Sequence, residues 1–186
     1  MSLRNDPENT MVLMPCAAAK IATDRPVPLF ELYNGPLWQD LRANGADLTS
    51  NVFVLSGKYG FCSSWVHGRP YEEKISRQKV DEIIARGIHA LTPPSKPGTM
   101  PGMSIFATVQ RWGKPYTQVI VSGSGDYRRG FDAIIDQLLE AGVIQPGAPI
   151  AAAEGSILQQ RKQFNEFLRA AQGIVETRKP QGEMAF

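Results

Sequence analysis

Three short apolar segments, each ending in small or polar residues, constrain the fold of this chain more than any other feature. Residues 11–16, 51–57 and 118–125 read MVLMPC, NVFVLSG and QVIVSGSG. Apolar runs of this length, closed by turn-forming residues, are typical of strands buried on both faces of a parallel sheet. Residues 148–153 form a weaker fourth strand candidate.

Helical patterns separate these strand candidates. Residues 35–43, 74–91, 130–141 and 156–171 carry apolar side chains at helical spacing, with Gly142 and Ser156 as expected end signals. Strand alternating with helix predicts an α/β fold: one domain over residues 1–186, with a mostly parallel central sheet flanked by helices on both faces. The Pro- and Gly-rich residues 92–102 read as a loop or hinge, and residues 1–9 and 177–186 as flexible ends.

Composition narrows the function classes. Twenty basic against 18 acidic residues give a net charge of +2, so the overall charge does not indicate a nucleic-acid binder. A local basic patch is nevertheless enough to bind nucleic acid. No apolar run approaches the ~20 residues of a membrane span, and the first residues lack the apolar core of a signal peptide. We therefore expect a soluble, cytoplasmic protein without a membrane partner. Two cysteines and two histidines predict neither a disulfide scaffold nor a metal site, and no cofactor is expected.

The strand ends concentrate the residues that can do chemistry. In open α/β sheets, ligands bind beyond the carboxyl ends of the strands. We therefore expect one crevice bordered by three loops. Its candidate residues are Cys16 and Lys20 after the first strand, Ser56, Lys58 and Tyr59 after the second, and Ser122, Gly123, Ser124, Asp126, Tyr127, Arg128 and Arg129 after the third.

The third loop is rich in glycine and leads into a helix. Its small residues let backbone N–H groups approach an anion, with Arg128 or Arg129 adding charge. Asp126 is the leading catalytic candidate, because a carboxylate here can orient a water or stabilise an oxocarbenium-like transition state. A plain turn with Asp126 as the helix cap is the alternative, and both roles are compatible. A second carboxylate is left open among Glu31, Glu72 and Glu154.

Cys16 and Lys20 lie four residues apart after the first strand. A thiol becomes nucleophilic where a nearby cation favours the thiolate, and Lys20 is the candidate cation, or else a phosphate contact. A small buried Cys and an exposed Lys are the alternatives. Tyr33, Tyr59 and Tyr127 are candidates to stack on or shape a base pocket. The aromatic loop of residues 65–71 is predicted to cover such a pocket or insert into nucleic acid.

Four pieces of the chain, in order, resemble the YaaA-related peroxide-stress proteins. They are Cys16 with Lys20, LYNGPL at residues 32–37, LSGKYG at residues 55–60, and SGDY at residues 124–127. The Pro-Cys-x3-Lys piece at residues 15–20 also resembles archaeosine synthases, which modify a 7-deazaguanine base in tRNA. Ile-Ala follows here in place of that motif's Pro-Tyr. The wider grouping is similar to uracil-DNA-glycosylase-like α/β folds.

Nucleobase chemistry is what these relatives share, and the resemblance implies a DNA glycosylase that flips a modified base into the crevice. DNA is expected over RNA as the partner. The resemblance implies hypermodified bases, such as those of phage DNA, as the targets, and therefore antiviral defence as the biological setting. Asp126 takes the catalytic role, and Lys20 or Lys58 as a Schiff-base nucleophile would add strand cleavage. The alternatives are a base-modifying transferase using Cys16 and Lys20, and a non-catalytic nucleic-acid-binding stress protein.

Overall fold

The computed structural model describes residues 2–93, 102–111 and 113–174. Five strands of this part of the chain form one sheet and two form a small antiparallel ribbon. The strands are β1 (Thr10–Pro15), β2 (Val27–Pro28), β3 (Val52–Ser56), β4 (Gly60–Ser63), β5 (His67–Gly68), β6 (Gln118–Val121) and β7 (Ile150–Ala152).

The sheet has the order β4-β3-β1-β6-β7, with β1, β3, β6 and β7 parallel and β4 an antiparallel edge. In the central strand β1, Val12 lies opposite Val52 on one side and Ile120 on the other. The predicted mixed α/β fold with a mostly parallel sheet is therefore confirmed. The hairpin that turns β3 into β4 was not predicted, because residues 60–63 carry only one large apolar side chain, Phe61.

Six α-helices and two 3₁₀ helices accompany the sheet in the described residues. Ser156 caps its helix through the amide of Gln159, as the sequence predicts. The helix expected over residues 74–91 is shorter, because Ser76 caps its start and Gly87, at φ 73°, ends it. The helices are α1 (Leu29–Leu32), α2 (Pro36–Asn44), α3 (Arg77–Arg86), α4 (Ile105–Val109), α5 (Asp126–Glu140) and α6 (Ile157–Ala171), with 3₁₀ turns at Pro7–Asn9 and Ala46–Asn51.

Alternate residues of β1 belong to two separate apolar clusters. Val12 and Met14 share one cluster with Trp38 of α2 and Phe164 of α6. Met11 and Leu13 share the other with side chains of α4 and α5. Successive side chains of a strand point to opposite faces, so this alternation explains why β1 is apolar at every position from 11 to 14. The arrangement leaves the carboxyl ends of β1, β3 and β6 together at one edge of the sheet.

The amino-terminal segment is bonded to this core. The Arg4 amide donates to Gln118 Oε1 at 2.8 Å, and the Asp6 amide donates to the Ala171 carbonyl at 3.0 Å. The predicted flexible end at 177–186 lies outside the described residues, as do residues 94–101 of the predicted loop. Among the described residues, no helix has the length and apolar character to cross a membrane.

Gly130 gives a test of the packing between α5 and the sheet. A Cβ at this position would lie 2.9 Å from Leu55 Cδ2 and 3.3 Å from Val80 Cγ1. We expect Gly130→Val to lower the free energy of unfolding by about 1–3 kcal/mol through overpacking, measured by urea denaturation. Ala133→Val, at a half-buried position of the same helix, is the control and should cost about 0.7 kcal/mol or less. Equal stability of the two variants would contradict this packing.

Candidate functional site

Three buried hydroxyl groups meet where β3 ends. Tyr71 Oη lies 2.6 Å from Tyr33 Oη and 2.6 Å from Ser56 Oγ. Ser56 Oγ also accepts hydrogen bonds from the backbone amides of Lys58, at 3.2 Å, and Tyr59, at 3.1 Å. Burial raises the pKa of both Tyr33 and Tyr71 above the usual value of a phenol. The two phenols therefore stay neutral and can exchange hydrogen bonds with Ser56.

Tyr33 and Ser56 are predicted site residues that the fold brings together. Tyr71, which completes the cluster, was not singled out as a site residue. The available signal was its position at the end of the aromatic loop that the sequence assigns to the crevice. Pairing of that loop with residues 27–28, through the β2–β5 ribbon, sets its course, and neither strand is long enough to be recognised from its pattern.

Two lysine amines border this hydroxyl cluster. Lys20 Nζ lies 4.2 Å from the centroid of the Tyr71 ring and 6.0 Å from that of Tyr33. Lys58 Nζ lies 5.5 Å from the Tyr71 centroid and 5.6 Å from that of Tyr59. These distances are within the range of cation–π contacts. Neither amine has an ion-pair partner among the residues that the structure describes.

The loop that carries Lys20 is fixed by its backbone. Lys20 forms a β-bridge with Tyr33. On either side of it, the Ile21 amide donates to the Leu32 carbonyl at 2.9 Å and the Asn34 amide donates to the Ala19 carbonyl at 2.8 Å. The LYNGPL segment quoted in the sequence thus holds the Pro-Cys-x3-Lys segment in place.

A cavity of ≈ 340 Å³ opens beside Cys16 and Lys20. Cys16 Sγ and Tyr127 Oη, both from residues that line it, lie 3.0 Å apart. Burial, with the Cys16 hydrogen bond adding to it, raises the pKa of Tyr127 above the usual phenol value. The cavity is lined by Cys16, Ala17, Ala18, Lys20, Glu72, Glu73, Lys74, Ile75 and Tyr127.

The glycine-rich loop after β6 positions Tyr127. At the end of the sheet, the Ser122 hydroxyl donates to the Leu13 carbonyl at 3.2 Å and to Met14 Sδ at 3.0 Å. Gly123 has φ 103°, and a Cβ there would lie 3.2 Å from Pro15 Cγ, so the close approach to β1 needs glycine. Ser124 is exposed.

Asp126 is the first residue of α5, and the cap position is taken by Gly125. Its carboxylate lies 4.0 Å from Arg129 Nε and is not among the groups that line the cavity. Asp126 therefore precedes Tyr127, which lines the cavity, but does not line the cavity itself. The capping role considered from the sequence belongs to the Gly125 backbone, with no side-chain hydrogen bond.

Arg128 and Arg129, the predicted phosphate contacts, already have carboxylate partners. Arg128 pairs with Asp132 at 2.7 Å and with Glu154 at 2.8 Å, and Arg129 pairs with Asp81 at 2.5 Å. Burial lowers the pKa of the Arg128 guanidinium, but its two carboxylate partners together outweigh burial and raise that pKa, and the hydrogen bond to Asp81 raises the pKa of Arg129. Their positive charge is therefore matched within the protein, and sequence reasoning could not see this because Asp81 and Glu154 are distant in the chain.

Comparison with known proteins adds no relative, since no family model, no curated protein and no solved structure matches this chain. The described residues also contain no group of three His, Cys, Asp or Glu side chains arranged to hold a metal ion.

The two cysteines should differ in reactivity. Cys16 lines the cavity, whereas burial, with the neighbouring Cys16 thiol adding to it, raises the pKa of the Cys62 thiol to about 12. Only the thiolate reacts readily with alkylating agents, so we expect iodoacetamide at pH 8 to modify Cys16 alone. Mass spectrometry should find one label on wild type and on Cys62→Ser, and none on Cys16→Ser. Labelling of folded Cys16→Ser would contradict the assignment.

Proposed function

We propose that this protein is a DNA glycosylase that hydrolyses the N-glycosidic bond of a modified base. The observation that carries the proposal is the cavity at the carboxyl ends of β1 and β6. It joins two amines, a thiol, a phenol and two carboxylates around ≈ 340 Å³, within the range of about 300–1,000 Å³ common for small-ligand pockets.

The position of the cavity in the fold supports the same proposal. The chain passes from β1 through α2 to β3 on one side, and β6 lies on the other side of β1. Such a reversal of strand order is where open α/β sheets bind ligands. We further propose that the chain acts as one domain with helices on both faces of the sheet, as the two apolar clusters around β1 indicate.

In the proposed reaction, the target nucleotide leaves the base stack and enters the cavity. Tyr127, which lines the cavity, shapes the pocket. A carboxylate stabilises the sugar cation and orients water. The bond from C1′ to the base breaks with its electron pair on the base, the water oxygen bonds to C1′, and the proton that the water loses ends on the departing base. Asp126 stays the predicted carboxylate from the sequence, and Glu72 and Glu73 are the two carboxylates that line the cavity.

The test is release of free base, measured by mass spectrometry, from DNA that contains unmodified and assorted modified bases. Asp126→Asn tests the assignment from the sequence, and the double variant Glu72→Gln/Glu73→Gln tests the two carboxylates that line the cavity. We expect loss of the acting carboxylate to lower release by about 10²–10⁴-fold, the usual contribution of a positioned acid or base. Asp132→Asn, six residues further along α5 and paired with Arg128, is the matched control and should stay close to wild type.

The outcomes of this test separate the proposed glycosylase function from the assignment of the catalytic carboxylate. Full release by Asp126→Asn together with loss in the double variant Glu72→Gln/Glu73→Gln would move the carboxylate role to the cavity wall. No base released by wild type from any DNA, alongside binding that weakens steeply with salt, would replace the glycosylase proposal with that of a nucleic-acid-binding protein.

One observation favours a second function, a base-modifying transferase: Cys16 and Lys20 line the same cavity. A transferase needs a second small-molecule substrate and an intact Cys16, whereas hydrolytic base release needs neither. Cys16→Ala therefore separates the two functions. Unchanged base release in this variant supports the glycosylase.

A further inference from the structure

A second cavity, of ≈ 270 Å³, is lined by residues of the turn after β3, of β4 and of α3. We propose that it binds one nucleotide, with the phosphate on Lys58 and Arg86 and the base against Tyr59. In the proposed reaction this is the nucleotide next to the flipped one in the DNA strand, a placement that rests on the proposed function. In the described part of the chain, this cavity shares no lining residue with the cavity beside Cys16.

The charge at the second cavity is the first reason. Its described lining residues include three cations, Lys58, Lys79 and Arg86, against one carboxylate, Glu82. Lys79 donates to the Gly57 carbonyl and so holds the turn that carries Lys58. Within residues 2–93, 102–111 and 113–174, neither the Lys58 amine nor the Arg86 guanidinium has an ion-pair partner. The cavity therefore offers unmatched positive charge to an anionic ligand.

Phosphate is the anion that these two groups suit. A guanidinium presents parallel N–H donors that match two phosphate oxygens, and an ammonium adds a compact point charge. Arg86 lies in the last turn of α3 and Lys58 in the turn after β3, so two separate elements bring their charges to one cavity. A phosphate has enough oxygens to accept hydrogen bonds from both groups at once.

The uncharged wall is the second reason. Phe61 and Ile105 line the cavity and are buried, so the ligand also meets apolar surface. The Tyr59 ring lies edge-on to Tyr71, with centroids 5.3 Å apart. The Tyr59 hydroxyl bonds to the Arg69 backbone, accepting from the amide at 3.1 Å and donating to the carbonyl at 3.3 Å. An aromatic ring fixed in this way is a stacking surface for a base.

Tyr71 links the second cavity to the first. Lys20 Nζ, from a residue that lines the cavity beside Cys16, lies 4.2 Å from the Tyr71 centroid, and Lys58 Nζ lies 5.5 Å from the same centroid. Two cavities whose amines contact one ring are close enough to receive neighbouring parts of one ligand. A strand that places its flipped nucleotide in the first cavity can therefore place the next nucleotide in the second.

The test is binding of a labelled, single-stranded oligothymidylate, followed by fluorescence anisotropy over a series of salt concentrations. We expect Lys58→Gln and Arg86→Gln each to weaken binding by about fivefold or more at low salt. Each should also make the slope of log affinity against log salt shallower by about 0.7, because each removes one phosphate contact. Lys162→Gln, which removes an exposed charge from α6 outside both cavities, is the matched control and should stay within about twofold.

Variants of Tyr59 test the stacking wall. We expect Tyr59→Leu to weaken binding by about fivefold or more without changing the salt slope, because leucine is apolar but has no flat ring. Tyr59→Phe keeps the ring and should bind within about twofold of wild type. Thermal unfolding near the wild-type temperature shows that a loss of binding is not misfolding. Lys58 and Arg86 are exposed, so their variants decide if Tyr59→Leu unfolds.

Free thymidine 5′-monophosphate distinguishes the two sources of a nucleotide. Oligothymidylate binding that depends on Arg86 and far exceeds the affinity for the mononucleotide supports a nucleotide held within a strand. A mononucleotide that binds as tightly as the oligonucleotide, and loses affinity in Arg86→Gln, keeps the nucleotide site and overturns its placement in the DNA strand. No binding of either probe by wild type, or variants of Lys58 and Arg86 that match Lys162→Gln in affinity and salt slope, would overturn the site itself.

The two proposals fail in different ways, because oligothymidylate contains no modified base and its binding needs no turnover. Binding that depends on Arg86, without base release from any DNA, keeps the second cavity and rejects the glycosylase. Base release by wild type, with oligothymidylate binding unchanged in the Lys58 and Arg86 variants, keeps the glycosylase and rejects the second cavity.

Discussion

The double pairing of β1 is the constraint on which the rest of the structure depends. This strand has parallel neighbours on both edges, and its residues from Met11 to Met14 are fully buried. A strand enclosed in this way has little freedom of register, because a shift by one residue would exchange the side chains of its two apolar clusters. Its end therefore fixes Cys16, and through the following loop it fixes Lys20, relative to β3 and β6.

The hydroxyl cluster beside the site is held together by the burial of its polar groups. Tyr33, Ser56 and Tyr71 lie in the interior, where an unpaired hydroxyl would cost about 1–3 kcal/mol. Their mutual hydrogen bonds, with two backbone amides on Ser56, remove that cost only when all three groups are in place. The network thus ties the segment around Tyr71 to the end of β3, and the acidic residues that follow Tyr71 reach the cavity.

Sequence reasoning identified the elements whose pattern is local. The strands at Thr10–Pro15, Val52–Ser56 and Gln118–Val121 and the capped helix α6 follow from apolar runs and end signals. The β2–β5 ribbon and the position of Tyr71 did not follow, because they depend on pairing between residues about 40 apart. Glu154 as a partner of Arg128 and Asp81 as the partner of Arg129 were missed for the same reason: distance along the chain conceals which charges are matched in space.

The charges near the site fall into two groups with different physical roles. Arg129 links α5 to α3, and Arg128 links α5 to the segment after β7, so both guanidinium groups orient the helix that carries Tyr127. Exposed pairs of this kind contribute about 0–1 kcal/mol each to stability. Lys20 and Lys58 instead hold their charge against aromatic rings, with no carboxylate partner among the described residues. A flat ring attracts a cation without neutralising it, so these amines keep the charge that an anionic ligand would pair with. The paired charges therefore fix the position of α5, whereas Lys20 and Lys58, after β1 and β3, carry charges that no carboxylate matches in the described part of the chain.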